Sequence, residues 1–342
     1  MNEKFLMILK QAFFLSIGTA LIWWSFSKSE TSFSDLWDGA KSMDYTFFLV
    51  SAIFAIGSHY FRALRWKLLI DSVGYKPRTK NVFASVLFMY ASNVAIPRSG
   101  EIARCGTLYK YENIPVAKLL GTVFVERAID LLSLLAFTGL LLIVQFDLFY
   151  SIYKNWTLEK SVEIITSEEE SILPLIILIF TGCLIFGAFI FRKKITPIIK
   201  KVIGKVKELK AELIESLKSV LKMQTKIRFF IHTIIIWFCY VAMFYICFFA
   251  FEPTSNLDLS VGLTAFIAGS FGMVAPTNGG IGAWQAMVIL ALTTLNISDQ
   301  DATIWANVAF FIMTITIVVA GLCSFAILPF MNRDKKEEII EA

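Results

Sequence analysis

Apolar stretches of about twenty residues recur along the whole chain, and each is long enough to cross a bilayer as a helix. They run roughly over Met7–Phe26, Tyr45–Trp66, Pro115–Gln145, Ile172–Phe191, Ile227–Phe251 and Thr303–Phe330. A backbone in hydrocarbon must satisfy its own polar groups, so such runs fold as helices or not at all. With 57% hydrophobic and 17% charged residues, the chain has more apolar surface than a soluble fold of 342 residues can cover. The expected class is therefore an all-α polytopic membrane protein, residues 1–342 forming a single integral membrane domain.

In such a protein the position of the charges carries more information than the net +5. The connection around Arg62, Arg65, Lys67, Lys76, Arg78 and Lys80 is basic and belongs on the cytoplasmic side. The region from Arg192 to Arg228 is more basic still; within it, 196–224 reads as an amphipathic helix lying on the membrane or as a plain solvated linker helix. The segment 28–44 and the loop 146–171 are acidic and belong outside. No removable signal peptide is read at the N-terminus, because Ser25-Phe26-Ser27-Lys28 lacks a small-x-small cleavage pattern. Both termini are expected in the cytoplasm of a bacterial inner-membrane protein; the tail 331–342 mixes Lys335 and Lys336 with Glu337, Glu338 and Glu341. The five cysteines show no metal-type pairing and the two histidines, His59 and His232, are far apart, so no metal site or cofactor is expected. No nucleic-acid partner is implied.

Two further apolar segments are broken in the middle. Residues 81–113 are interrupted at Asn93-Val-Ala-Ile-Pro97-Arg98-Ser99-Gly100-Glu101, and 259–295 at Ala275-Pro276-Thr277-Asn278-Gly279-Gly280-Ile281-Gly282. Proline ends a helix and glycine lets the backbone turn, so Pro97, Gly100, Pro276, Gly279, Gly280 and Gly282 read as structural turn positions. Parity then constrains both segments. Between the basic connection near Lys80 and the acidic loop near Asp147 the chain crosses an odd number of times, and 115–145 supplies one crossing. The first broken segment thus enters and returns on the cytoplasmic side; the same count turns the second into a hairpin from outside. About six full spans and two re-entrant hairpins result, arranged as inverted halves 1–145 and 172–330, the pattern of inverted-repeat transporters. Two full crossings per broken segment also satisfy parity.

Ionisable residues in a membrane segment are functional candidates by default. Arg98, Glu101 and Arg104 share one helical face if the chain is helical after Pro97; Glu126, Arg127 and Asp130 cluster on the next helix. These six either close a helix junction as an ion-pair network or line a polar cavity for a headgroup, and the two readings are compatible. Asn93, Thr277, Asn278 and Gln285 are the neutral candidates for the same cavity. Arg62 and Arg65 read first as interfacial anchors of a helix end, and second as forks for phosphate oxygens. There is no Walker lysine and no nucleophile–base set; Glu126 with Asp130 is the one acid/base candidate.

The ordered set Arg62-Ala-Leu-Arg65-Trp66, Asn93, Pro97-Arg98-Ser99-Gly100-Glu101, Arg104, Glu126-Arg127-x-x-Asp130 and Pro276-x-x-Gly279-Gly280-Ile281-Gly282 resembles the lysylphosphatidylglycerol synthase transmembrane-region family, also called flippase-like or uncharacterised protein family 0104. In fused relatives this region is similar to the lipid-flipping half of the multiple peptide resistance factor, whose partner domain attaches lysine to phosphatidylglycerol. No such aminoacyltransferase domain follows here, so the resemblance implies a stand-alone form that moves a phospholipid or lipid-linked precursor between leaflets, its partner an anionic phospholipid or a polyprenyl-linked lipid, and is not an enzyme. A membrane-embedded lipid-modifying transferase, or a non-catalytic partner of a separate glycosyl- or aminoacyltransferase, are the alternatives. Where the family pattern places a glutamate after the glycine turn this chain has Gln285, so no second intramembrane charge is implied there.

Overall fold

A computed structural model describes residues 16–146 and 220–333, apart from 17, 24, 97, 98 and 276, together with 150, 214 and 218. The described residues contain helices and no strands. The chain divides into two compact units, Met1–Leu134 with Val220–Ala342, and Leu135–Ser219. The first unit draws on residues of both expected halves. Nearly all of the loop 146–171 expected outside, the expected span Ile172–Phe191, nearly all of the expected amphipathic helix 196–224 and the tail beyond 333 lie outside the described residues.

Residues 18–23 and 25–29 are helical. They lead into α1 (Phe33–Ser42), which opens with a reciprocal cap: the Asp35 amide donates to the Ser32 hydroxyl, and the Ser32 amide donates to the Asp35 carboxylate. The Ser32 hydroxyl also donates to that carboxylate, and this bond, with the one from the Ser32 amide, holds the Asp35 carboxyl below the usual carboxylate range. Asp44 caps α2 (Tyr45–Ser72) by accepting from the Thr46 amide. Then come α3 (Thr79–Ala95), α4 (Gly100–Glu112), α5 (Val116–Val144) and α6 (Lys226–Ile246), the last continued by a tight turn over Cys247–Ala250. The short α7 (Glu252–Ser255), α8 (Leu259–Gly272), α9 (Ala283–Thr294) and α10 (Asp299–Met331) complete the set.

Among the described residues, α2, α5, α6 with its extension, and α10 are long and apolar enough to cross a membrane. The expected span over Met7–Phe26 is described only in part. Both broken segments are helix pairs: α3 packs on α4 across the first break, and α8 on α9 across the second. The two expected halves are bound to each other by α2 against α6 and by α3 against α10. Ser51 donates to the Met243 carbonyl at 2.7 Å in the first of these contacts. In the second, Phe88 stacks on Phe325 at 4.4 Å, and Gly321 lies so close to α3 that a Cβ would come within 2.6 Å of the Leu87 carbonyl. An aromatic core centred on Phe244 and the fully buried Trp305 joins α6 to α9 and α10; the Trp305 indole donates to the Cys247 carbonyl at 2.9 Å.

Candidate functional site

The tip of the first helix pair is built around Asn93. Pro97 has no N–H to offer the Asn93 carbonyl, so α3 ends there by composition alone. The Asn93 side chain then accepts from the Gly100 amide at 2.8 Å, tying the last turn of α3 to the first residue of α4. The Ser99 hydroxyl reaches back to the Ser92 and Ile96 carbonyls. Asn93 is thus a closure of the turn instead of a cavity wall. Asn93→Ala should cost about 1–2 kcal/mol of stability, the value of one hydrogen bond to a half-buried amide, read as a lowered melting temperature in detergent.

Below this tip, seven charges from three helices meet. Arg62 and Arg65 on α2, Glu101 and Arg104 on α4, and Glu126, Arg127 and Asp130 on α5 form one network. Asp130 receives Arg62 at 2.8 Å and Arg65 at 2.6 Å. Glu126, wholly buried, holds Arg104 at 2.9 Å through one oxygen. Its other oxygen lies 3.3 Å from Arg62, a charge contact without hydrogen-bond alignment, since neither atom has a hydrogen-bond partner. The Arg104 guanidinium also sits over the Trp66 ring at 4.3 Å, and the Trp66 indole donates to Thr122. Glu101 and Arg127 pair at 2.6 Å nearer the tip and are the most exposed members.

Arg62 and Arg65 are therefore not interfacial anchors. Both are buried, and their forks are committed to α5 because two carboxylates at i and i+4 on that helix face two arginines at i and i+3 on α2. Four arginines face three carboxylates, leaving one excess positive charge. Side-chain N–H groups of Arg62, Arg65 and Arg104 remain without hydrogen-bond acceptors. Tyr90 and Tyr240, with hydroxyls 3.4 Å apart, flank Arg62, and the His59 ring lies tilted against that of Tyr90, 4.2 Å between centroids. Only His59, one turn before Arg62 on α2, was within reach of sequence spacing; Tyr90 and Tyr240 come from α3 and α6, and no local pattern ties them to Arg62. Arg98, Pro97 and Pro276 lie outside the described residues.

The second tip touches the first. Gly279, in the left-handed region at φ 59°, packs so that a Cβ would come within 3.1 Å of Val94 at the end of α3. Gly280 and Gly282 also take positive φ, and Gly282 lies against the Gly18 backbone. Gln285, expected to line a cavity, instead accepts from the Gly282 amide at 2.8 Å. That bond needs only an acceptor, which an amide supplies as well as a carboxylate. Thr277 and Asn278 are buried, with the Thr277 hydroxyl and the side-chain amide oxygen of Asn278 unpartnered. At the opposite end of the α3–α4 pair, Asn81 exchanges amide hydrogen bonds with Asn332 at the end of α10 and donates to Glu112. No three metal-ligating side chains of the His, Cys, Asp and Glu types gather among the described residues.

A UPF0104 membrane protein of Methanocaldococcus jannaschii is 38% identical over 77 residues, a stretch covering 22% of this chain and 23% of that protein. No solved structure matches the chain significantly. The model of the family described as the lysylphosphatidylglycerol synthase TM region matches residues 8–321, which include the arginine–carboxylate network and both glycine- and proline-broken tips. With a match of that extent, this multi-pass membrane protein belongs to the lysylphosphatidylglycerol synthase transmembrane-region family.

Proposed function

We propose that this protein translocates a phospholipid or lipid-linked precursor between leaflets, its headgroup passing the junction of the two helix-pair tips while the acyl or prenyl tails stay in the bilayer. The observation that carries this reading is the contact of the two tips, Gly279 on Val94, directly above a seven-charge network set in an apolar chain. Irregular backbone and ionised groups are tolerated at membrane depth where they are enclosed by protein or line a polar path. The arms α4, α8 and α9 have 13, 14 and 12 residues. At 1.5 Å per residue they are about 18–21 Å long, short of the ~30 Å hydrocarbon core, which favours re-entrant hairpins over full crossings. The description of the family, a region of a lipid-modifying synthase, supports a lipid as the substrate. It also keeps open a separately encoded lipid-modifying transferase as a partner.

Within the network, Glu126, Arg65 and Arg104 are sealed, so a headgroup meets Glu101 and Arg127 first. The test is translocation of labelled lipid in reconstituted vesicles. Glu101→Gln should slow translocation by about tenfold or more, because Arg127 loses its partner at the mouth, yet change stability by less than about 1 kcal/mol, as expected of a half-exposed pair. Wild-type vesicles that move no anionic, zwitterionic or polyprenyl-phosphate lipid would sink the transport reading. The cytoplasmic location of this charged half, and of both termini, is part of the same proposal.

A further inference from the structure

We propose that the pocket between the helical segment 18–29, α9 and the start of α10 binds a primary ammonium group carried beside an anion, the chemistry of an ethanolamine-phosphate headgroup. The pocket is about 310 Å³ with its mouth included, and is lined by Ser25, Lys28, Ser29, Ile289, Asp299 and Thr303 among others. Thr303 is wholly buried, and its hydroxyl oxygen has no hydrogen-bond partner. A buried polar atom left unpaired costs free energy, so an unpaired hydroxyl on a residue that lines a cavity points to a polar ligand there.

The remaining groups define the ligand. Ser25, also buried, donates its hydroxyl proton to the Ile22 carbonyl at 2.8 Å; the Ser29 hydroxyl lies 2.7 Å from that of Thr31 and 3.3 Å from the Phe26 carbonyl. The Ser25 oxygen keeps its lone pairs for accepting, so this wall offers an acceptor to a donor-rich ligand. Asp299, exposed at the mouth, forms no ion pair among the described residues, and Lys28 stands exposed at the same mouth. Hydroxyl oxygens that accept call for a ligand rich in donors. A primary ammonium carries three. A trimethylammonium carries none. An ammonium inside, facing the hydroxyls and Asp299, leaves the attached phosphate at the mouth beside Lys28. The sequence charge pattern puts this end of the helices outside, opposite the arginine network.

The lipid form of the ligand rests on the lipid-handling reading above, but the pocket is tested without transport. Thermal melts of the purified protein should rise with O-phosphoethanolamine and not with O-phosphocholine. The same comparison in nanodiscs sets phosphatidylethanolamine against phosphatidylcholine. Thr303→Val and Asp299→Asn should each weaken the shift by at least about tenfold in ligand concentration, one charge-assisted hydrogen bond's worth. Thr303→Val should melt no lower than wild type without ligand, because the hydroxyl it removes has no partner. A shift in nanodiscs alone identifies the lipid as the source; a shift with the soluble compound as well shows that the headgroup suffices; either upholds the site. Equal shifts by both compounds, shifts retained in both variants, or no shift by any of them overturn it. A positive shift together with failed translocation would sink transport and leave the pocket standing.

Discussion

Glu126→Ala should destabilise the protein by about 3–5 kcal/mol, a large share of the roughly 5–15 kcal/mol that holds an ordinary domain folded. The magnitude follows from what the carboxylate leaves behind. Arg104 is fully buried and Glu126 is its ion-pair partner; Arg62 and Arg65 also approach the same carboxylate, at 3.3 and 3.7 Å. Removing it strands positive charge where water cannot compensate, and Asp130 is already shared by two arginines. The cost is that of the orphaned ions and not the worth of one salt bridge, so restoring neutrality should recover most of it. Arg104→Met combined with Glu126→Met removes one charge of each sign and keeps apolar volume; that double variant should regain more than half of the loss. Chemical or thermal unfolding in detergent reads both. A single variant within about 1 kcal/mol of wild type would mean that the three arginines are solvated, and the sealed network would have to be abandoned.

How far the site was legible depends on what kind of contact each residue makes. Apolar run length and proline–glycine punctuation are local signals, and they located α2, α5, α6, α10 and both broken pairs. The charged clusters on α4 and α5 were also legible, because ions in an apolar run stand out one residue at a time. Arg62 and Arg65 misled, since arginines at the end of a span look the same whether they face headgroups or a neighbouring helix; only α5 packed against α2 distinguishes the two. Gln285 misled for the converse reason. Its polarity was visible, but its use as an acceptor for the Gly282 amide is a matter of turn geometry that no spacing encodes. Asn81 and Asn332, 251 positions apart, and Thr303 beside the 18–29 segment belong to the same class: single polar residues whose partner or cavity is assembled by distant helices.

Gly100→Ala should cost about 3–4 kcal/mol and open the first helix pair, although alanine is the better helix former. A Cβ at Gly100 would fall on the Met89 carbonyl oxygen and within 2.7 Å of the Asn93 amide nitrogen, so the added methyl meets backbone that cannot rotate away. The tip must then part, which adds the loss of the Asn93–Gly100 hydrogen bond to the upper range of overpacking costs. Gly106 supplies the control on the same helix. Nothing lies within 4 Å of a Cβ there, so Gly106→Ala should stabilise α4 by about 0.5–1 kcal/mol through chain entropy. Opposite signs for the same chemical change, six residues apart, separate close approach of the arms from helix propensity. Because α4 also carries Glu101 and Arg104, parting the tip moves both away from α5, and lipid translocation should fall with stability in Gly100→Ala while Gly106→Ala keeps it. Equal melting temperatures for the two variants would mean that α3 and α4 do not close as a hairpin at Asn93, and the junction of the two tips would lose its first half.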